Sequence, residues 1–190
     1  MLPRTLIPAF AIVLAALGAF GCQRRNPATR EQRVDLLASI DGAEKRPQGA
    51  AVTTTLATLE GETEPALDVP AVSRIVWTAR MPDHAVLHTA LGAPQLAAAD
   101  GARALFRIGI SDERTYDGLF AAEVGLGSAP GWKPVSIDLS KYSGFKWSLF
   151  YHPRQKTWKV IFNTTITGLG RPVAPTDRLF WAHPSIEAAR

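Results

Sequence analysis

The chain has 190 residues, with 21 Lys and Arg against 17 Asp and Glu, a net charge of +4 and a single cysteine. That excess is too small and too dispersed to suggest nucleic acid, which asks for a clustered basic face, and one cysteine excludes an internal disulfide. The length suits one globular domain held by its apolar core alone, since a domain of ~150 residues buries about 70% of its unfolded surface.

In chain order, Arg4 precedes Leu6 to Phe20, fifteen residues without a charge. This is shorter than the roughly 20 apolar residues of a membrane span and fits the core of a secretory signal peptide. The stretch Leu17-Gly18-Ala19-Phe20-Gly21-Cys22 resembles a bacterial lipobox: Gly21 and Cys22 fit, while Ala19 and Phe20 depart from the preferred Leu and small residue. The resemblance implies cleavage after residue 21, lipid on the Cys22 sulfur, and export to a bacterial membrane. Gln23, which is not Asp, points to the outer membrane or cell surface. The alternative is an ordinary signal peptide that contains a cysteine.

Residues 22–50 read as a lipid-anchored tether. They carry the basic residues Arg24, Arg25, Arg30, Arg33, Lys45 and Arg46 close to the membrane. Within them, 29–41 reads as a short helix. Thr29 and Gln32 have capping-box spacing, Val34, Leu36, Leu37 and Ile40 form an apolar stripe, and Asp41-Gly42 is a stop. Such a helix needs something to dock on.

Residues 51–190 read as β structure, with about nine short strands at Val52–Leu59, Val72–Met81, Ala85–Leu91, Ala104–Ile110, Gly118–Val124, Lys133–Leu139, Phe145–Tyr151, Thr157–Asn163 and Arg178–Ile186. The clearest alternation places Ala104, Phe106, Ile108 and Ile110 on one face. Glu60-Gly61-Glu62 reads as an acidic turn, and the Ala-rich Pro94–Ala99 as one helical turn. Regular short strands with turn residues between them predict an all-β sandwich or barrel.

Trp132-Lys-Pro-Val-Ser-Ile-Asp-Leu-Ser-Lys-Tyr-Ser-Gly144 resembles a recurring segment of galactose-binding-like jelly rolls, in which a strand ends in Asp-Leu-Ser and a Tyr and a Gly follow. Leu179-Phe-Trp-Ala-His-Pro-Ser-Ile186 is similar to their last strand. Asp35-Leu36-Leu37, Ala43-Glu44-Lys45-Arg46, the turn Gly61-Glu-Thr-Glu-Pro-Ala-Leu67 and the hairpin Gly109-Ile-Ser-Asp-Glu-Arg-Thr-Tyr116 resemble the N-terminal, non-catalytic module of membrane-anchored sulfatase-like proteins. The likeness covers residues 34–190 and implies a jelly-roll β-sandwich. The sulfatase nucleophile run is absent, as is any G-x-S-x-G elbow, so the sequence argues against an enzyme.

Galactose-binding-like domains take ligands at loop tips, which makes Trp132, Tyr116, His152, Arg154 and Lys156 the candidate ligand-binding residues. Trp147 and Trp158, at period-2 spacing with other aromatics, read as core. His84, His88, His152 and His183 form no metal-ligand pattern. Asp112, Glu113 and Asp117 read as a solvated turn rather than a calcium site, so neither metal nor cofactor is expected. The expected function is non-catalytic binding of a carbohydrate or envelope component. The alternative is an accessory module that packs on a separately encoded sulfatase-like or other envelope enzyme.

Overall fold

The computed structural model describes residues 33–95, 101–127, 131–143 and 157–189. The signal-peptide and Cys22 assignments, the helical turn at 94–99 beyond Gln95, the strand at 145–151, and His152, Arg154 and Lys156 lie outside those residues. Eleven strands are described: β1 Arg33–Asp35, β2 Glu44–Arg46, β3 Thr53–Leu59, β4 Glu62–Pro70, β5 Ser73–Arg80, β6 Ala85–Gly92, β7 Arg103–Ser111, β8 Tyr116–Gly125, β9 Lys133–Asp138, β10 Thr157–Thr167 and β11 Arg178–Ala188. They form two antiparallel sheets. The first runs β3-β4-β11-β6-β9 with β1 also on β11; the second runs β2-β5-β10-β7-β8. The expected all-β jelly-roll sandwich is what the chain forms.

Each expected strand within the described residues is present, and the reason is period-2 burial. Ala104, Phe106, Ile108 and Ile110 are all buried, while Arg103 before them and Arg107 among them face water. Inward residues from both sheets meet around Trp181. Phe162 lies 4.5 Å from it and Phe106 4.9 Å, with Trp77 a further 5.1 Å from Phe162, all in tilted or edge-to-face contact. Such pairs add about 0.5–1.5 kcal/mol each beyond area burial. The buried hydroxyls are satisfied: Ser73 and Thr164 bond each other at 2.8 Å, and Thr89 donates to the Ala182 carbonyl at 2.9 Å.

Two expectations need correction. The helix at 29–41 is not formed over its described part. Arg33–Asp35 is a strand on β11, a tight turn follows, and Ile40–Gly42 is a single 3-10 turn. Asp35 ends the strand by accepting the Ala38 amide (2.9 Å) on its side chain and the Ser39 hydroxyl (2.7 Å) on its carbonyl. The stripe read as helical is real burial in another conformation: Leu36 and Ile40 both enter the sandwich core, and Trp77 Nε1 donates to the Leu36 carbonyl at 3.0 Å. β2 then joins the second sheet through β5. The segment therefore straps the two sheets together, and the sandwich begins before Ala51.

The second correction concerns Gly61–Leu67, which is strand rather than turn. Only Glu60 and Gly61 turn, at φ 50° and 84°, as a two-residue primed hairpin requires. β4 then buries Ala66, Leu67 and Val69 and leaves Glu64 and Asp68 outward. Its acids and two prolines disguise it. Pro65 lies just before and Pro70 at the end of the stretch that pairs with β11, so the residues between them keep their donors.

Candidate functional site

The strand register places Tyr116 and Trp132 at opposite ends of the sandwich and on different sheets. Tyr116 opens β8, opposite Ser111 at the end of β7. Trp132 precedes Lys133, which pairs with Leu91 near the end of β6. The two candidates do not form one site.

Trp132 is part of the fabric. Its ring lies across Gly92, where a Cβ would come within 2.9 Å of Trp132 Cε3 and 2.8 Å of Leu59 Cδ1. Phe180 packs beside it at 6.2 Å, and its indole N–H donates to the Glu62 carbonyl at 3.1 Å. Trp132 and Phe180 thus pack over Ala57, Ala66 and Ala182 on the outer face of the first sheet, with the tip of the β3–β4 hairpin tied to the indole. The small side chains leave room for it. Trp132 is half-buried and its only N–H is spent.

Tyr116 is different. Its ring lies over Gly109 on the outer face of the second sheet, where a Cβ would sit 2.5 Å from Cζ. It is 52% exposed, and its hydroxyl has no bond among the described residues. A bulge at Ile108/Gly109 shifts the β7–β8 register. Ile161 and Val76 continue the Gly109 row across β10 and β5, and both are buried. One row along, Arg74, Asn163 and Arg107 are direct cross-strand neighbours.

This face is basic. Alternation puts Arg46, Arg74, Arg80, Arg103, Arg107 and Lys159 on it. Three of these have carboxylate partners: Arg46–Glu44 at 2.5 Å, Arg103–Glu123 at 2.9 Å and Lys159–Glu113 at 3.0 Å. Arg46, chiefly by its hydrogen bond, holds the Glu44 carboxyl below the usual range, with smaller help from the charges of Lys159 and Arg74. Arg74, Arg80 and Arg107 have no ion pair or hydrogen bond among the described residues. The outer face of the first sheet is the reverse: Asp35, Glu62, Glu64, Asp68, Asp138 and Glu187 face out against Arg33 and Arg178.

Beside Tyr116, the mouth of the sandwich is closed by a polar plug. Asp117 Oδ2 accepts from Tyr142 Oη at 2.5 Å and from Lys141 Nζ at 2.8 Å. The Lys141 and Tyr142 hydrogen bonds depress the Asp117 carboxyl, and Asp117 in turn raises Lys141. Burial, then the bond to Asp117, raises the Tyr142 phenol. Trp158 stacks edge-on to Tyr142 at 5.0 Å and donates to its carbonyl at 3.0 Å. The Asp-Leu-Ser segment leads into this plug: Asp138 Oδ1 accepts the Ser140 amide at 2.8 Å, Leu139 is buried, and the Ser140 hydroxyl and amide hold Asp138 low.

Asp112 accepts the Arg114 and Thr115 amides and Glu113 pairs with Lys159. Among the described residues no group of three or more His, Cys, Asp or Glu could hold a metal ion. Sequence reasoning picked out Tyr116 but not Arg74, Arg107 or Asn163. They lie on three strands, and only the register brings them together.

No family model matches the chain, and no curated protein matches it. Solved structures share its fold. The M60 catalytic domain with the CBM51-1 and CBM51-2 domains of Clostridium perfringens ZmpB is 11% identical, with a TM-score of 0.52 over 77% of this chain and 14% of that one. The CBM51-2 and INT domains of the same protein give 12% identity and a TM-score of 0.48, over 76% of this chain and 29% of that one. CBM51 from C. perfringens GH95, in complex with methyl-galactose, gives 15% and 0.48, over 81% and 99%. This chain thus spans a minor part of both ZmpB chains. Its structural neighbours include carbohydrate-binding modules, and its architecture is a jelly-roll β-sandwich of that kind.

Proposed function

We propose that the chain is a non-catalytic carbohydrate-binding lipoprotein, exported and held at a bacterial membrane, outer membrane or cell surface, by lipid on Cys22. The observation that carries the binding reading is Tyr116. Its ring packs against Gly109 at the start of the edge strand β8, it is half exposed, and its hydroxyl has no bond among the described residues. A flat aromatic face with hydrogen-bonding groups beside it suits the apolar face and hydroxyls of a sugar ring. Among the described residues the other exposed large apolar side chains, Leu56, Val72 and Val173, lie on separate elements. That scatter favours ligand binding over packing against a separate enzyme, which calls for a contiguous patch.

The test is glycan-array binding by the full chain, purified in detergent. Saturable binding to a defined set of glycans is expected; no binding at high protein concentration would refute the reading. The anchor is tested apart: Cys22→Ser should release the protein from membranes, and unchanged retention would overturn lipidation.

A further inference from the structure

We propose that the outer face of the second sheet is the binding surface and that its ligand is an acidic glycan, with one sugar ring on Tyr116 and carboxylate or sulfate groups on Arg74 and Arg107. This rests on the carbohydrate-binding reading and adds the surface and the ligand class.

Geometry carries the surface. Arg74 and Arg107 flank Asn163 in direct register on β5, β10 and β7. Adjacent strands lie ~4.8 Å apart, so the two arginine Cα atoms are about 10 Å apart with the amide midway. Gly109, under the Tyr116 ring, is one pleat repeat of ~7 Å from Arg107 along β7. Ring, amide and two guanidinium forks therefore share one face within the span of a short oligosaccharide. All are rooted in strands, which fixes their spacing better than loops would.

Charge carries the ligand class. Each arginine can present a bidentate fork to a carboxylate or sulfate, and among the described residues neither makes a hydrogen bond or ion pair, Arg74 acting on Glu44 only through its charge. Asn163 offers both donor and acceptor to hydroxyls. The face's other carboxylates, Glu44, Glu123 and Glu113 from the adjoining turn, are each matched to a cation of their own. Arg74, Arg80 and Arg107 are thus left as the surplus. A protein partner would want a cluster of aromatic and apolar anchors, and among the described residues this face exposes one ring. A single-stranded nucleic acid would want a succession of stacking platforms.

The experiment is affinity electrophoresis of the full chain through polygalacturonate, chondroitin sulfate and neutral galactan. Polyglutamate and oligothymidylate serve as polyanions without the glycan. Binding to at least one acidic glycan should exceed binding to galactan by about tenfold or more. Tyr116→Ala, and Arg74→Ala with Arg107→Ala, should each weaken it by about tenfold. Tyr116→Phe, which keeps the ring, should retain most of the affinity, and Arg80→Ala should change it less than about threefold. An unchanged melting temperature in Tyr116→Phe and Tyr116→Ala separates lost binding from lost fold. Equal binding to polyglutamate or oligothymidylate would reduce the face to an ion exchanger and overturn the proposal. Binding to galactan or another neutral glycan that survives Tyr116→Ala would overturn this surface and leave the general reading standing. Failure of every glycan here and on the array would overturn both.

Discussion

Each sheet carries an aromatic ring laid across a glycine on its outer face, and the two sites behave differently. Over Gly92, Trp132 is walled by Leu59 and Phe180 and its N–H is tied to Glu62. Against Gly109, Tyr116 is half exposed and its hydroxyl has no bond among the described residues. The same local device serves structure where a hairpin closes over it and stays half exposed where, among the described residues, none does. Aromatic identity in a sequence does not separate the two; what covers the ring does. The charges at the two ends of the sandwich repeat the contrast. Asp177, near the Trp132 end, has a side chain only 4% exposed and meets Arg171 through two bonds of 2.6 and 2.8 Å. Asp117, at the Tyr116 end, is 46% exposed and shares its oxygen between Lys141 and Tyr142.

The contrast breaks hardest at the glycines. Gly92→Val forces the new methyls into Trp132 and Leu59, neither of which has free space. It should cost about 2–3 kcal/mol in urea denaturation, in the range of core overpacking. Asp177→Asn removes a buried bidentate acceptor that also holds the Ala174 amide. It should cost about 2 kcal/mol, whereas Asp117→Asn should cost clearly less because that pair is largely in water.

Acid titration sharpens the same comparison. Arg171, the backbone amide of Ala174 and the Arg171 charge hold the Asp177 carboxyl below its ordinary value. Its stabilisation is therefore fully present above the unfolded carboxylate pKa, about 3.9, and fades as pH falls through the lower folded value. Stability measured from pH 6 to pH 2 should drop below pH 4, and Asp177→Asn should flatten that drop. A smaller change follows from Trp132→Phe, which keeps the ring over Gly92 but removes the bond to Glu62; about 1 kcal/mol is expected in the same assay. The smallest is Gly109→Ala. The obstructing atoms belong to the far end of an exposed side chain that can swing away, so stability should move by less than about 0.5 kcal/mol while glycan binding falls.

Much of the sandwich is legible in the residues. Phe106, Ile108 and Ile110 alternate with polar neighbours, and such a strand can sit only one way in a two-sheet core. β4 is hidden because Glu62, Glu64, Pro65 and Asp68 imitate a turn, and its strand character comes from pairing with β3 and β11. The strap at 33–46 is misread because Leu36 and Ile40 are four apart, a spacing that suits a helix and equally a turn whose two ends enter one core. The site is legible in one residue. Tyr116 follows a turn and is plainly placed, whereas Arg74, Asn163 and Arg107 acquire a relation only through register. Trp132, flanked by Gly131 and Lys133, reads as exposed because a hairpin closing from some 70 residues away leaves no local mark.

The strap has a further consequence for the order in which the molecule can be completed. β1 pairs with β11, Arg33 against Glu187, so the first described strand waits for the last to be synthesised. Until β11 arrives, Leu36 and Ile40 have no finished core to enter. Contacts of such long sequence separation slow folding and prolong the exposure of apolar surface. A nascent chain short of β11 is therefore an open sandwich with a loose N-terminal end, and the closing of the fold is a late, all-at-once event.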